Sequence, residues 1–533
     1  MTETLSILPE PPTSAGCKPH ARSTARRIGP WLALAAIMVL ATGLRLYRLG
    51  ARSLWVDEAG SLVLVTGHMD QMLSLPIGRW MDDAPGVTRP PLAGPWWRVE
   101  SGADMHPPLS YLLQRLFVLL LGPRDAVLRA SSVLASVVSI LLFYLICREL
   151  YGVGLGLAAC LIMAMAMTQI YFAQDARPYT LALTLVLGAC LALLRLEKRG
   201  GGRWPAAALA ACAVVAMLTH YLTAGPLAAL AAYALFRLRG QARRDALTAL
   251  LLAGIAFAVL WGPVMLGQRA IGGQFYAWCR ETMGGHLPMT LTRVAAVSFC
   301  HLELPFSNFR AGPLVGGIVC LLPFLLMWWR KDLCLWSFWL LGTLDMIVVA
   351  DLAGGTVMAN FPRYSLLATP ALLAMVVGTA CRSRVGRWII PAAFIGVCLI
   401  HLPDTYNANF TALPTPPYRQ IGQWIDAHSR PGDMLVLSHA PDGCHPPGLE
   451  LRYFYGMVSH YINEGRSMPG PVLLLEGKSH DLPLRLRGQA RIWIISGDDV
   501  ATPQEVIPGV INADPQASLC LEAGQVWLVS APL

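Results

Sequence analysis

Pro107-Pro108-Leu109-Ser110-Tyr111-Leu112-Leu113-Gln114-Arg115-Leu116-Phe117-Val118-Leu119-Leu120-Leu121 is the run on which the topology of the whole chain turns. It is apolar enough to enter a bilayer. It is also short of the ~20 residues a helical span requires, and Gln114 and Arg115 sit in its middle. Counted as a span, it would reverse the sense of every later helix. Read as a helix lying along the interface, it leaves them unchanged. The charges of the other connections decide between the two.

Apolar runs fall near 30–46, 126–147, 153–171, 179–195, 205–219, 221–237, 246–266, 311–329, 333–350, 364–380 and 387–402, which predicts eleven transmembrane helices. One set of connections is basic: Arg148; Arg195, Lys198, Arg199 and Arg203; Arg237, Arg239, Arg243 and Arg244; Arg330 and Lys331; Arg382, Arg384 and Arg387. With Lys18, Arg22, Arg26 and Arg27 these fall on one side, cytoplasmic by the positive-inside rule, provided Pro107–Leu121 does not cross. The opposite face then carries 47–125, 172–178, 219–221, 267–310, 351–363 and everything after His401. For a bacterial-type chain this is the periplasmic or external face of the inner (plasma) membrane.

The composition agrees. Of 533 residues 55% are hydrophobic and only 14% charged, against about a quarter charged in a globular domain. Mean hydropathy is +0.51. The net charge of +9 is scattered through short loops, so it reads as a topology signal and not as a nucleic-acid footprint. No Walker A loop, G-x-G-x-x-G or D-x-D occurs, which leaves a soluble nucleotide donor without a visible cradle. The thirteen cysteines include no C-x-x-C pair; Cys279, Cys300, Cys444 and Cys520 fall on the side where disulfides are permitted.

Three units follow. Residues 1–29, rich in Pro, Ser and Thr, are expected to form a disordered cytoplasmic tail; 30–410 the membrane domain with its external loop 47–125; and 411–533 a small external α/β domain. In the last, Tyr418–Ser429 has the apolar spacing of an amphipathic helix stopped by Pro431-Gly432. Met434–Leu437, Val472–Leu475, Arg491–Ser496 and Val526–Val529 read as strands.

Polar islands interrupt this greasy chain on the predicted external face. Trp55-Val56-Asp57-Glu58 lies a few residues past the first apolar helix. Acidic residues beside a membrane are costly to desolvate and mark a functional site; a carboxylate there can take a proton from an attacking hydroxyl. The bland reading is a charge pair at a helix start. His106-Pro107-Pro108 reads equally as a helix start. Gln174-Asp175-Ala176-Arg177-Pro178-Tyr179 and Arg363-Tyr364 each place an Arg where it can hold a phosphate or snorkel to headgroups. His220-Tyr221, His301 and Glu303 complete the set. A divalent metal on His and Glu residues stays open, although their spacings match no ligand pattern.

Taken in order, Arg48-Leu49-Gly50, Ser53-Leu54-Trp55-Val56-Asp57-Glu58, His106-Pro107-Pro108-Leu109, Leu128-Arg129, Gln174–Tyr179 and Arg363-Tyr364 resemble the GT-C membrane glycosyltransferases. The similarity is to the protein mannosyltransferase-like and aminoarabinose transferase-like bacterial enzymes, over about residues 30–440. The resemblance implies a mainly α, polytopic fold and a polyprenyl-phosphate sugar donor used on the external face. It implies catalytic parts for Asp57, which acts on the acceptor nucleophile, for the neighbouring Glu58, and for Asp175 as a second active-site carboxylate. Donor phosphate would be held by Arg363 and then Arg177. From their place on the same predicted face, His106, Tyr179, His220, Tyr221 and Tyr364 are further candidate substrate-binding residues. The loop from His68 to Asp104, with Trp80, Trp96 and Trp97, is longer and richer in Trp and Pro than the family pattern, so the acceptor (lipid, envelope glycan or protein) stays open.

Rival readings are a transporter or flippase of lipid-linked sugars and a noncatalytic glycan-binding subunit. Transporters favour polar residues and broken helices at the midplane. Here the spans are plain, Asp345 nearly excepted, and the polar groups gather at one face.

Overall fold

In the computed structural model the described residues are 24–88, 94, 105–283, 286–304, 311–380, 383–407, 418–439, 448–462, 468–476, 491–496, 512–513, 519–521 and 524–530. Every apolar run becomes helical, and the helices follow in chain order. The first set is α1 (Thr24–Leu46), α2 (Val56–Thr66), α3 (Met69–Leu73), α4 (Leu109–Leu121), α5 (Asp125–Tyr151), α6 (Val153–Met165), α7 (Met167–Ala173), α8 (Tyr179–Arg199) and α9 (Arg203–Met217). Next come α10 (Ala224–Arg237), α11 (Gly240–Met283), α12 (Leu287–His301), α13 (Gly312–Trp329), α14 (Cys334–Gly354), α15 (Pro362–Ser365), α16 (Thr369–Ala380) and α17 (Gly386–Asn407). The C-terminal region adds α18 (Tyr418–His428) and α19 (Leu449–Tyr461).

Among the described residues seven helices are long and apolar enough to cross a membrane, or eight with the bent pair α6–α7. The other three of the eleven apolar runs, now α9, α10 and α16, are shorter. Helix α1 begins at Thr24, inside the stretch 1–29 expected to form a tail, because the helix of the apolar run extends back through Arg26 and Arg27. Residues 1–23 lie outside the described set. Likewise α11, at 44 residues, runs far past the apolar stretch it begins with.

Helix α4 shows why Pro107–Leu121 was ambiguous. Its 13 residues rise about 20 Å, short of a ~30 Å hydrocarbon core. The polar side is turned inward: Ser110, Tyr111, Gln114 and Arg115 are buried, while Leu116, Leu119, Leu120 and Leu121 are exposed. Gln114 donates to Ala176 O at 2.9 Å, and Arg115 donates to Gly94 O at 3.0 Å and to Val65 O.

Two cores result. The larger lies in the bundle around Phe143, Trp336 and Trp339. There α10 and α14 cross at Gly225 and Gly342, where a Cβ on either would collide with the other's carbonyl. Small residues permit this backbone approach in membrane bundles. The second core joins Leu62 and Val63 of α2 to Phe454, Tyr455 and Val458 of α19 and to the sheet beneath.

That sheet comprises β1 (Trp80–Met81), β2 (Met434–His439), β3 (Val472–Glu476), β4 (Ile492–Ser496), β5 (Asn512–Ala513), β6 (Leu519–Leu521) and β7 (Gly524–Ser530), in the order β1-β3-β2-β4-β7-β5 with β6 also on β7. Strands β3, β2 and β4 are parallel and buried on both faces, which explains their unbroken apolar sequences. Strand β1 comes from the loop after α2 and pairs antiparallel with β3, Met81 opposite Val472. The first loop and the C-terminal region therefore share one sheet. Among the described residues Cys300 forms no disulfide; the side chains of Cys279, Cys444 and Cys520 lie outside the described set, as do Trp96 and Trp97.

Candidate active site

Trp55 is extended and α2 starts behind it, so Asp57 and Glu58 fall in its first turn, where the helix dipole favours them. Being adjacent on a helix, they face different ways.

Glu58 points inward. It is 1% exposed, and Arg129 of α5 grips both oxygens, Nε to Oε1 at 2.7 Å and Nη2 to Oε2 at 2.6 Å. The Ala176 amide donates to Oε1 at 2.9 Å. The other guanidinium protons go to the carbonyls of Leu49, Arg52 and Ser53 at 2.9, 3.1 and 3.1 Å. Asp175 lies on this side too, buried, accepting from Trp55 Nε1 at 3.1 Å. Burial above all, and then the Glu58 charge, push its carboxyl up to about 7. A small polar cavity separates these groups, lined by Arg52, Trp55, Glu58, Arg129, Gln174 and Asp175 among others.

Asp57 points outward and is 28% exposed. Its Oδ2 meets Arg363 Nη1 at 3.2 Å and Arg177 Nε at 3.9 Å. Arg177 is fixed further by Ser61 Oγ at 3.1 Å and Tyr111 OH at 3.3 Å, and its Nη2 lies 3.2 Å from His106 Nδ1. Arg363 is 14% exposed and sits among the rings of Trp55, Phe361 and Tyr364, 4.7 to 5.3 Å from its guanidinium carbon. Its hydrogen bond to Asp57 occupies one donor, and its Nε–H meets no acceptor among the described residues.

Around these charges the rings interlock. His106 stands edge-on to His220 at 5.1 Å, Tyr179 lies 5.4 Å from His220, and Tyr364 lies 6.4 Å from Tyr179. His220 Nδ1 accepts from the Leu222 amide, capping the short turn Tyr221–Thr223. Asp57, His106, Arg177, Tyr179, His220, Arg363 and Tyr364 thus converge from five separate stretches of chain. Tyr221 stands one step away: its hydroxyl bonds to Gln268 and accepts from Trp261 Nε1, and Gln268 reaches the His106 carbonyl.

His301 and Glu303 do not join the cluster. His301 Nε2 lies 2.9 Å from Ser365 Oγ beneath α15, and burial lowers its ring to about 4. Glu303 accepts from Thr168 N and Oγ1, so it caps α7 where the 59° bend at Ala166 frees that helix's amides. Among the described residues no group of three or more His, Cys, Asp or Glu could hold a metal ion. Two important residues escaped the sequence reading as site members. Trp55 and Arg129 stand in quoted motifs, but their parts appear only when α2 and α5 meet.

Residues 105–265 match the model of the dolichyl-phosphate-mannose-protein mannosyltransferase family. In structure the chain is similar to ArnT from Cupriavidus metallidurans bound to undecaprenyl phosphate, with 13% identity, a TM-score of 0.52, and 94% of this chain and 98% of that one covered. The apo form of ArnT gives 14% identity, the same coverage and a TM-score of 0.45. The oligosaccharyltransferase AglB from Archaeoglobus fulgidus, in complex with an inhibitory peptide and a dolichol-phosphate, gives 11% identity, coverage of 89% and 70%, and a TM-score of 0.43. No curated protein matches in sequence. The chain is a polytopic helical membrane protein of the GT-C fold, similar over residues 105–265 to the dolichyl-phosphate-mannose-protein mannosyltransferases.

Proposed function

We propose that the chain is a membrane glycosyltransferase that moves a sugar from a polyprenyl-phosphate donor to an acceptor on the external face of the inner membrane. One observation carries this reading: a partly open carboxylate, Asp57, stands between two arginines, and the more caged of them, Arg363, keeps donors unspent. Asp57 orients the acceptor hydroxyl and takes its proton as the new bond to the anomeric carbon forms. The old bond to the phosphate oxygen breaks, and Arg363 and Arg177 stabilise the charge that develops on the departing polyprenyl phosphate. A monophosphate leaving group needs no nucleotide-bound metal, consistent with the missing D-x-D. Glu58, bonded on both oxygens, holds the loop in place, and Asp175 supports Trp55. The side assignment rests on helix polarity: Asp125 and Tyr179 begin α5 and α8 beside the site, whereas Arg148, Lys198 and Arg199 close their far ends.

Mass spectrometry of envelope glycolipids and glycans from deletion and wild-type cells tests the reading. A sugar missing from the envelope, with its polyprenyl-phosphate form accumulating, is the expected result and identifies donor and product. Identical profiles overturn it. Cysteines placed near residues 151 and 200 should resist an impermeant reagent in spheroplasts; labelling of either overturns the assigned side.

A further inference from the structure

The C-terminal domain reaches the candidate site through one carboxylate. Asp125 is buried one turn ahead of Arg129 on α5. Three side chains from the C-terminal region converge on it: His460 Nε2 at 2.9 Å, the Tyr461 hydroxyl donating at 2.7 Å, and Arg419 Nη2 donating at 2.5 Å. Two of them also grip the chain that leads into α2. The Leu54 amide donates to the Tyr461 hydroxyl at 2.8 Å, and the Arg419 amide donates to Ser53 Oγ at 3.1 Å. From the other side, Arg129 holds the carbonyls of Arg52 and Ser53. The segment just before Trp55, Asp57 and Glu58 is therefore clamped between α5 and α19. The loop beyond α2 is held by the same helix: Arg452 donates to Leu75 O at 3.0 Å, Tyr455 to Pro85 O at 2.6 Å, and His460 Nδ1 lies 3.2 Å from Thr88 Oγ1.

We propose that Tyr461 is a positioning residue for the transfer reaction, through which the C-terminal domain sets where Trp55 and Asp57 stand relative to Arg363. The inference rests on the glycosyl-transfer reading above. Both groups that flank Arg363 from this side, the Trp55 ring and the Asp57 carboxylate, lie within three residues of the Leu54 amide held by Tyr461. A displacement of that amide moves them together. Misplacement of a reacting group by about 1 Å can cost roughly a hundredfold in rate.

The test compares full-length wild type, Tyr461→Phe and His460→Gln. Donors are a panel of polyprenyl-phosphate pentoses and hexoses, and the acceptor is the envelope extract of deletion cells. Hydrogen exchange over residues 52–58 is read in parallel. Tyr461→Phe should lower kcat by about tenfold or more while the donor KM stays within about twofold. Exchange at 52–58 should quicken, with α8 unchanged. His460→Gln, whose amide still offers a donor to Asp125, should keep most of kcat. Wild-type kcat in Tyr461→Phe overturns the proposal, as does a loss that follows donor KM or thermal stability. A wild-type chain that transfers no sugar overturns the glycosyl-transfer reading instead. Exchange then judges the clamp alone, and unchanged exchange in Tyr461→Phe overturns it.

Discussion

Asp57 and Glu58 are neighbours in sequence, yet they open onto two regions built on opposite principles. Behind α2, Glu58 and Arg129 are each 1% exposed, and all five guanidinium N–H groups have acceptors. In front, Asp57 is partly open and the Arg363 Nε–H, inside an aromatic cage, meets no acceptor among the described residues. A buried polar network whose members are all satisfied fixes one arrangement, while a partly satisfied one costs free energy until something completes it. The rear centre is therefore suited to hold the backbone, and the front to receive an anion.

The contrast is broken most directly at the rear. Arg129→Met leaves the Glu58 charge buried without its partner, and losing half of a buried pair costs about 3–5 kcal/mol. Thermal unfolding of the purified protein should show that loss, whereas a change below about 1 kcal/mol, the range of exposed pairs, would deny the pair its structural part.

Asp175, between the two regions, offers a pH test. Its folded carboxyl titrates near 7, above its ordinary value of 3.8, so the folded state prefers the protonated form. Its contribution to stability is complete below about pH 4 and is lost as pH rises through about 7, at a slope of at most about 1.4 kcal/mol per pH unit and about 4 kcal/mol in all. Asp175→Asn should remove this slope from an unfolding series over pH 4–8. An identical slope in the variant would place the titration elsewhere.

In front, Asp57→Asn keeps the shape but cannot accept a proton, so transfer should fall by about a hundredfold or more with stability near wild type. Wild-type activity would end the assignment. The smallest effect is expected at Arg363. Its replacement by Ala should slow transfer roughly tenfold to a hundredfold through lost charge-assisted bonds to the donor. Lys should recover only part, lacking the planar fork. Full rescue by Lys, with donor dependence unchanged in the Ala variant, would make Arg363 an interface anchor.

Much of this was legible in the residues. Each apolar run became a helix, and the strands near Met434, Val472, Arg491 and Val526 formed where β-branched and aliphatic residues cluster. Of the residues read as separate islands, Asp57, His106, Arg177, Tyr179, His220, Arg363 and Tyr364 stand together, whereas His301 and Glu303 pack elsewhere. Three features were hidden, each because its cause lies far along the chain. The bend at Ala166 falls inside a continuous apolar run and is capped by Glu303, 135 residues on. The inward turn of Glu58 depends on Arg129, 71 residues on. Strand β1 is two residues of a Gly- and Pro-rich loop, with no periodicity to betray it.

That short strand bears on how the protein is made. Met81 finds its partner Val472 only after about 390 further residues have been synthesised. At about 5–20 residues per second the ribosome needs roughly 20 to 80 seconds for that stretch. Throughout this interval the loop after α2 stands without the strand it pairs with, or the helix that holds Leu75 and Pro85. The bundle can be threaded and packed in order, but the region around Trp55 and Asp57 must wait for the C-terminal strands and α19, so a nascent or truncated product is a packed membrane bundle before that region is held.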